Sequence, residues 1–179
     1  MSTFGFTSDA DVSLSHIRAH SEDKAVVGME ATITAAGDSE VLVVRGALGR
    51  QQLLAPAAAS AVMLAVGGTL SDAVKGLAAY TPPPGRMRLL KGKDDSVLID
   101  DSYNSSPAAV EEALGALSLV PAKRRIAVLG DMLELGRYSI QEHERVGALV
   151  AKHADILVAV GLRSRATAEA ARKAGMNDE

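Results

Sequence analysis

The stretch "SVLIDDSYNSSPAAVEEALGAL", residues 96–117, decides how the second half of the chain is read. It opens with an apolar run short enough for a strand, stops at Asp100 and Asp101, and turns through Ser-Tyr-Asn-Ser-Ser-Pro. It then continues with helical periodicity. Ser106 and Pro107 stand at the N-cap and first helical positions that these residue types favour. Glu111 and Glu112 lie in or near the first turn, where carboxylates oppose the helix dipole favourably. A strand that runs directly into a capped helix is half of a βαβ unit.

The same alternation continues downstream. "RRIAVLG" predicts a strand before a helix over about 139–153, and "ILVAVG" predicts another before a helix over about 164–174. Apolar runs of this length between amphipathic helices are the pattern of a doubly wound parallel sheet, whose crossovers are right-handed. After residue 174 a further strand is expected, so the alternation reads as unfinished at Glu179.

Upstream the period changes. "VSLSHI" alternates, and in "VVGMEATIT" Val27, Met29, Ala31 and Ile33 share one face. The turn "AAGD" leads to "EVLVVR", which predicts an antiparallel hairpin over residues 26–45. "QQLLAPAAASAVMLAV" predicts a buried helix ended by Gly67-Gly68, and Ser71 is the expected N-cap of a second helix. "TPPPG", residues 81–85, cannot continue a helix and reads as a stiff linker. The expected division is therefore 1–84, a hairpin with helices, and 85–179, an α/β unit.

Composition narrows the function classes. The chain has 179 residues, 47% hydrophobic, with 19 basic and 22 acidic side chains and a net charge of -3. No basic run offers a phosphate-backbone footprint, so nucleic acid is not an expected partner. Without cysteine, disulfides, thiolate metal sites and a cysteine nucleophile are excluded. The four histidines form no HExxH pattern, and no metal site is expected in the chain. There is neither a leader-like start nor a run of eighteen or so apolar residues that could span a bilayer, and a cytoplasmic location is expected.

In doubly wound sheets ligands sit beyond the carboxyl ends of the strands, which here carry "DDSYN", "GDMLELG" and "GLRSR". Asp101 at such an end can accept two sugar hydroxyls; the alternative is an Asx-turn cap. Tyr103 and Asn104 suit stacking and hydrogen bonding to a ring system, or simply occupy a turn. Arg86 and Arg88 follow the linker, where a guanidinium can neutralise phosphate or remain a solvated hinge side chain. Glycines bracket Asp131 and Glu134 in a loop able to lie over a ligand. His143 is a helix-surface histidine in one reading and catalytic in the other. No GxxxxGK[ST] or GxGxxG segment is present.

Together "PGRMR", "VLIDDSYNSSPAAVEEAL", "RRIAVLGDMLELG" and "EHERVGALV" resemble the C-terminal region of the Mur ligases, of the type that joins D-Ala-D-Ala to UDP-MurNAc-tripeptide. The upstream half is similar to the last strands and helices of that family's central ATPase domain. The resemblance implies a Rossmann-like C-terminal parallel sheet with flanking helices, preceded by a mixed β-hairpin and helices. It implies ATP-driven amide formation through an acyl phosphate in peptidoglycan synthesis, with Mg2+ in the complete enzyme and a monomeric state.

It assigns Arg86 to the ATP phosphates and Asp101 to the ribose hydroxyls, with Tyr103 and Asn104 lining the pocket. Asp131 and Glu134 fall on the substrate-side loop. The family's phosphate loop, metal-binding residues and first domain would precede this stretch, and a final "KGSR"-like loop would follow it. Where the family has "GRHNxxN", this chain reads "GRQQLLA", with Gln52 and Ala55 at the asparagine positions. The isolated chain is expected to be inactive. Two alternatives stand: a non-catalytic nucleotide- or muropeptide-binding lobe, and a related superfamily ligase with another substrate.

Overall fold

A two-residue turn organises the first part of the chain. Ala36 and Gly37 both take positive φ, 51° and 91°, the turn whose twist matches a right-handed hairpin. It joins β3 (Ala25–Ala35) to β4 (Asp38–Arg45) as the expected antiparallel hairpin, with Ala35 opposite Asp38 through Gly28 opposite Arg45. The computed structural model describes residues 2–177; the continuation expected after Glu179 lies outside the described residues. The chain forms two compact units, Met1–Asp100 and Asp101–Glu179.

In the first unit β1 (Phe4–Gly5), β2 (Val12–Glu22), β3 and β4 form one sheet in chain order, with β1 parallel to β2 and the other pairs antiparallel. One face is apolar: Val12, Leu14, Met29, Ala31, Ile33, Leu42 and Val44 are buried. The alternation expected through His16 is interrupted, because His16 takes φ 49° in a bulge between Ser15 and Arg18. On the polar face, Glu30 accepts hydrogen bonds from His20 and Arg18 that hold its carboxyl below the ordinary value.

The alanine-rich segment begins as a 3-10 turn, Arg50–Leu53, and becomes α1 (Leu54–Ala65). Pro56 sits in the first helical turn, where its missing N–H would have had no partner in the helix. Gly67, at φ 88°, ends the helix with its N–H on the Leu64 carbonyl and that of Gly68 on Met63, a Schellman motif. The cap of α2 (Leu70–Leu77) is Thr69 and not Ser71: Thr69 has extended backbone and its hydroxyl accepts the Asp72 N–H at 3.1 Å.

The linker differs from a solvated spacer. Pro82, Gly85 and Met87 are buried, and the Leu48 N–H and Gly46 carbonyl bond Met87 and Leu89. The segment after the prolines is thereby stitched to residues 46–48 and continues as β5 (Arg88–Lys91), a strand the sequence pattern did not announce. β5 pairs antiparallel with β6 (Val97–Asp100), the strand expected to lead the parallel set. A short turn closed by the Gly92 N–H on the Ser96 carbonyl joins them, and so short a connection permits only antiparallel pairing.

The second unit has the expected α/β character. β7 (Ile126–Leu129) and β8 (Ile156–Ala159) pair parallel in exact step, Val128 beside Val158. Helices α3 (Pro107–Leu117), α4 (Ser139–His153) and α5 (Ser164–Lys173) follow the predicted order. Val110 and Leu114 of α3, Ala127 of β7, and Val146 and Val150 of α4 form the core with Met132. Ser106 is the N-cap of α3, accepting the Ala109 N–H at 3.3 Å, and Pro107 is the first helical residue. Glu111 and Glu112 lie beyond the first turn; Glu111 instead pairs with Arg145 of α4 at 3.0 Å.

Candidate functional site

Each helix of the second unit follows a turn that leaves the carboxyl end of a strand, and α3 runs back along the sheet into β7. The loops after β7 and β8 leave the same end of the parallel pair, and α3 packs on β7 and α4 through Val110 and Leu114. Asp131, Glu134 and Arg163 belong to those two loops, and Tyr103 and Asn104 to the turn before α3.

The turn before α3 is short and outward-facing. Asp101 is half-buried, while Tyr103 is 71% exposed, a large accessible area for an aromatic ring. Asn104 uses its carbonyl oxygen to accept the Ser105 N–H at 2.9 Å, which fixes the amide and turns its NH2 away from that bond. Asp100, the neighbouring acid, has a different task within the first unit. Its carboxylate accepts the Gly85 N–H at 3.2 Å and so anchors the backbone immediately before Arg86, whose side chain is exposed.

Asp131 leaves the end of β7 and reaches the N-terminus of α5. Its Oδ1 accepts the N–H groups of Arg163 and Ser164 at 2.9 and 2.8 Å, and the Ser164 hydroxyl lies at 2.7 Å. These satisfy donors that a helix start leaves without internal partners. The Ser164 hydroxyl first, then the Ser164 and Arg163 N–H groups, hold the Asp131 carboxyl below its ordinary value. Gly161, at φ 117°, makes room for this contact, since a Cβ there would overlap the Asp131 carboxylate.

Asp131 and Glu134 thus share a loop and differ in surroundings. Asp131 is committed to the α5 cap, whereas Glu134 is exposed beside Leu133 and takes φ 62°, rare for a residue with a side chain. His143 is neither on the helix surface nor at the open edge. It is completely buried, with Nε2 accepting the Met132 N–H at 3.1 Å and Nδ1 on the Ser139 carbonyl at 2.7 Å. Sequence reasoning missed this although the signal was present: 143, 146, 147 and 150 repeat at helical spacing, and all four are buried. The Ser164 and Gly161 contacts to Asp131 carried no local signal.

Among the described residues no three His, Asp or Glu side chains gather as a metal site, and no helix is long and apolar enough to cross a membrane.

The model of the family "Mur ligase, glutamate ligase domain" matches residues 85–179, more than half of the chain. The UDP-N-acetylmuramoyl-tripeptide--D-alanyl-D-alanine ligase of Escherichia coli (strain K12) is 38% identical over 124 residues, which cover 68% of this chain and 27% of that protein. The ligase of the same name from Mycobacterium bovis is 34% identical over 123 residues, 65% of this chain and 24% of that protein. This chain thus spans about a quarter of the curated relatives' length.

A crystal structure of MurF from Acinetobacter baumannii superposes with a TM-score of 0.81 at 30% identity, covering 96% of this chain and 36% of that one. MurF from Thermotoga maritima, solved in complex with ADP, gives 0.72 at 23% identity over 97% of this chain and 48% of that one, a likeness of fold alone. The capped helices, the parallel pair and the strand-end loops are therefore those of a known architecture, and the chain belongs to the Mur ligase family.

Proposed function

We propose that this chain is a C-terminal portion of an ATP-dependent ligase that joins D-Ala-D-Ala to UDP-MurNAc-tripeptide in peptidoglycan synthesis. On this reading residues 1–84 are the end of the central ATPase domain and residues 85–179 the C-terminal α/β domain. The complete enzyme works in the cytoplasm as a monomer. The observation that carries the reading is the joining of the loops after β7 and β8 at one edge of the second unit, through Asp131 and the start of α5. It occurs in a chain whose matched relatives bear the name of this ligation.

The side chains of the turn before α3 suit a nucleotide. Asp101 is a bidentate acceptor for ribose hydroxyls, Tyr103 offers a ring face, and Asn104 offers its amide. Arg86 is assigned to the phosphates, with Asp100 holding its backbone through Gly85. ATP, when bound, would supply the phosphoryl group that converts the peptide's terminal carboxylate to an acyl phosphate, leaving ADP; the amino group of D-Ala-D-Ala would then attack the acyl carbon and expel inorganic phosphate. The contribution of these residues is to hold and orient the nucleotide. Mg2+ belongs to the complete enzyme; among the described residues no three His, Asp or Glu side chains gather to hold it.

The test is Asp101→Ala in the complete enzyme. Losing a charged hydrogen bond to the ribose should raise the ATP KM or lower kcat by an amount equivalent to roughly 1.5–3 kcal/mol. Kinetics equal to wild type would remove Asp101 from the nucleotide site.

A further inference from the structure

His143 is a buried titratable side chain with no part in the nucleotide reading, and both ring nitrogens are engaged. Nδ1 donates to the carbonyl of Ser139 one turn earlier in α4, and Nε2 accepts the N–H of Met132 from the loop after β7. The neutral tautomer with its proton on Nδ1 satisfies both bonds. An apolar side chain could fill the same volume, yet it would leave the Met132 N–H buried without an acceptor. The ring therefore serves the loop's backbone rather than the packing of α4.

That loop is held at two points. Asp131 binds the start of α5, and Met132 is buried and bonded to His143. The next two residues are released outward: Leu133 is 57% exposed, and Glu134 is exposed with its backbone at φ 62°. A carboxylate beside an aliphatic side chain complements a small amine with apolar substituents, the chemistry of an acceptor dipeptide.

We propose that His143 is a positioning residue: by fixing Met132 it sets the path of the loop and presents Leu133 and Glu134 to the acceptor amine. This rests on the ligase reading above. The experiment compares His143→Leu and His143→Gln with wild type in the complete enzyme. It records the acceptor and ATP KM values, kcat, and amide hydrogen exchange at Met132.

In His143→Leu the Met132 amide should exchange faster by about a hundredfold or more and the acceptor KM should rise about tenfold, with the ATP KM unchanged. Glutamine can present an oxygen to the same N–H and should restore most of both. A leucine variant that exposes the Met132 amide yet keeps wild-type acceptor kinetics overturns the proposal. So does a glutamine variant that protects the amide without restoring the KM. Should the leucine variant not fold, the double variant Leu133→Ala/Glu134→Gln decides: an unchanged acceptor KM overturns the role of the loop. A wild-type enzyme that forms no amide from UDP-MurNAc-tripeptide, ATP and D-Ala-D-Ala sinks the ligase reading. Unchanged Met132 exchange in His143→Leu sinks the clamp separately.

Discussion

Asp131 shows how much a single carboxylate can organise. Its carboxyl is held below the ordinary value by the Ser164 hydroxyl, the Ser164 N–H and the Arg163 N–H. A group of this kind adds stability that is fully present above its unfolded value, near 3.9, and that is lost as pH falls through the lower folded value. Asp131→Ala should therefore lower the urea midpoint at neutral pH, and the gap from wild type should narrow as pH drops below about 4. A gap independent of pH would mean that the charge is not what caps α5. The sequence placed Asp131 in the loop that follows a strand but could not name its partners, because Ser164 lies 33 residues further on. Glu134 was legible only as a member of the same glycine-bracketed loop; its exposure was not, since Met132 between the same glycines is buried.

Elements were read well where periodicity or cap chemistry is local. The hairpin, α1 and the three helices of the second unit follow from spacing and from Gly67, Ser106 and Pro107. β5 was missed because four residues that pair through a tight turn give no periodic signal of their own. The packing of α4 on α5 was also invisible, because it depends on what Gly147 leaves out. A Cβ at Gly147 would overlap the Thr167 carbonyl and crowd Ala170, whereas one at Gly76 of α2 meets nothing. Gly147→Ala should cost about 1–3 kcal/mol by overpacking. Gly76→Ala should gain roughly 0.5–1 kcal/mol from helix propensity. Urea titration of the two variants checks both, and a neutral Gly147→Ala would show that α4 and α5 can move apart at little cost.

Across the molecule, the arrangement of the second unit leaves its parallel pair lopsided. Ala127, Leu129 and Leu157 pack against the helices, while Ile126, Val128, Val158 and Val160 on the other side are 45% to 65% exposed. Parallel strands are ordinarily covered on both faces. The 179-residue chain should accordingly bind an apolar dye and scatter light increasingly with concentration. Val128→Lys with Val158→Glu should suppress both while shifting stability by no more than about 0.5 kcal/mol per site. Unchanged scattering would place the association elsewhere. Sequence alone could not give this asymmetry: the runs "IAVL" and "ILVA" are apolar at every position and do not say which side a helix covers.

The contact between Asp131 and the bare Gly161 reaches beyond this one chain. A side chain at 161 and an acid turned toward α5 at 131 compete for the same space. Among descendants of a common ancestor the two positions must therefore drift together. A lineage that gains a Cβ at 161 has to surrender the acid first, and the order of those two substitutions is dictated by sterics before selection acts on ligation at all.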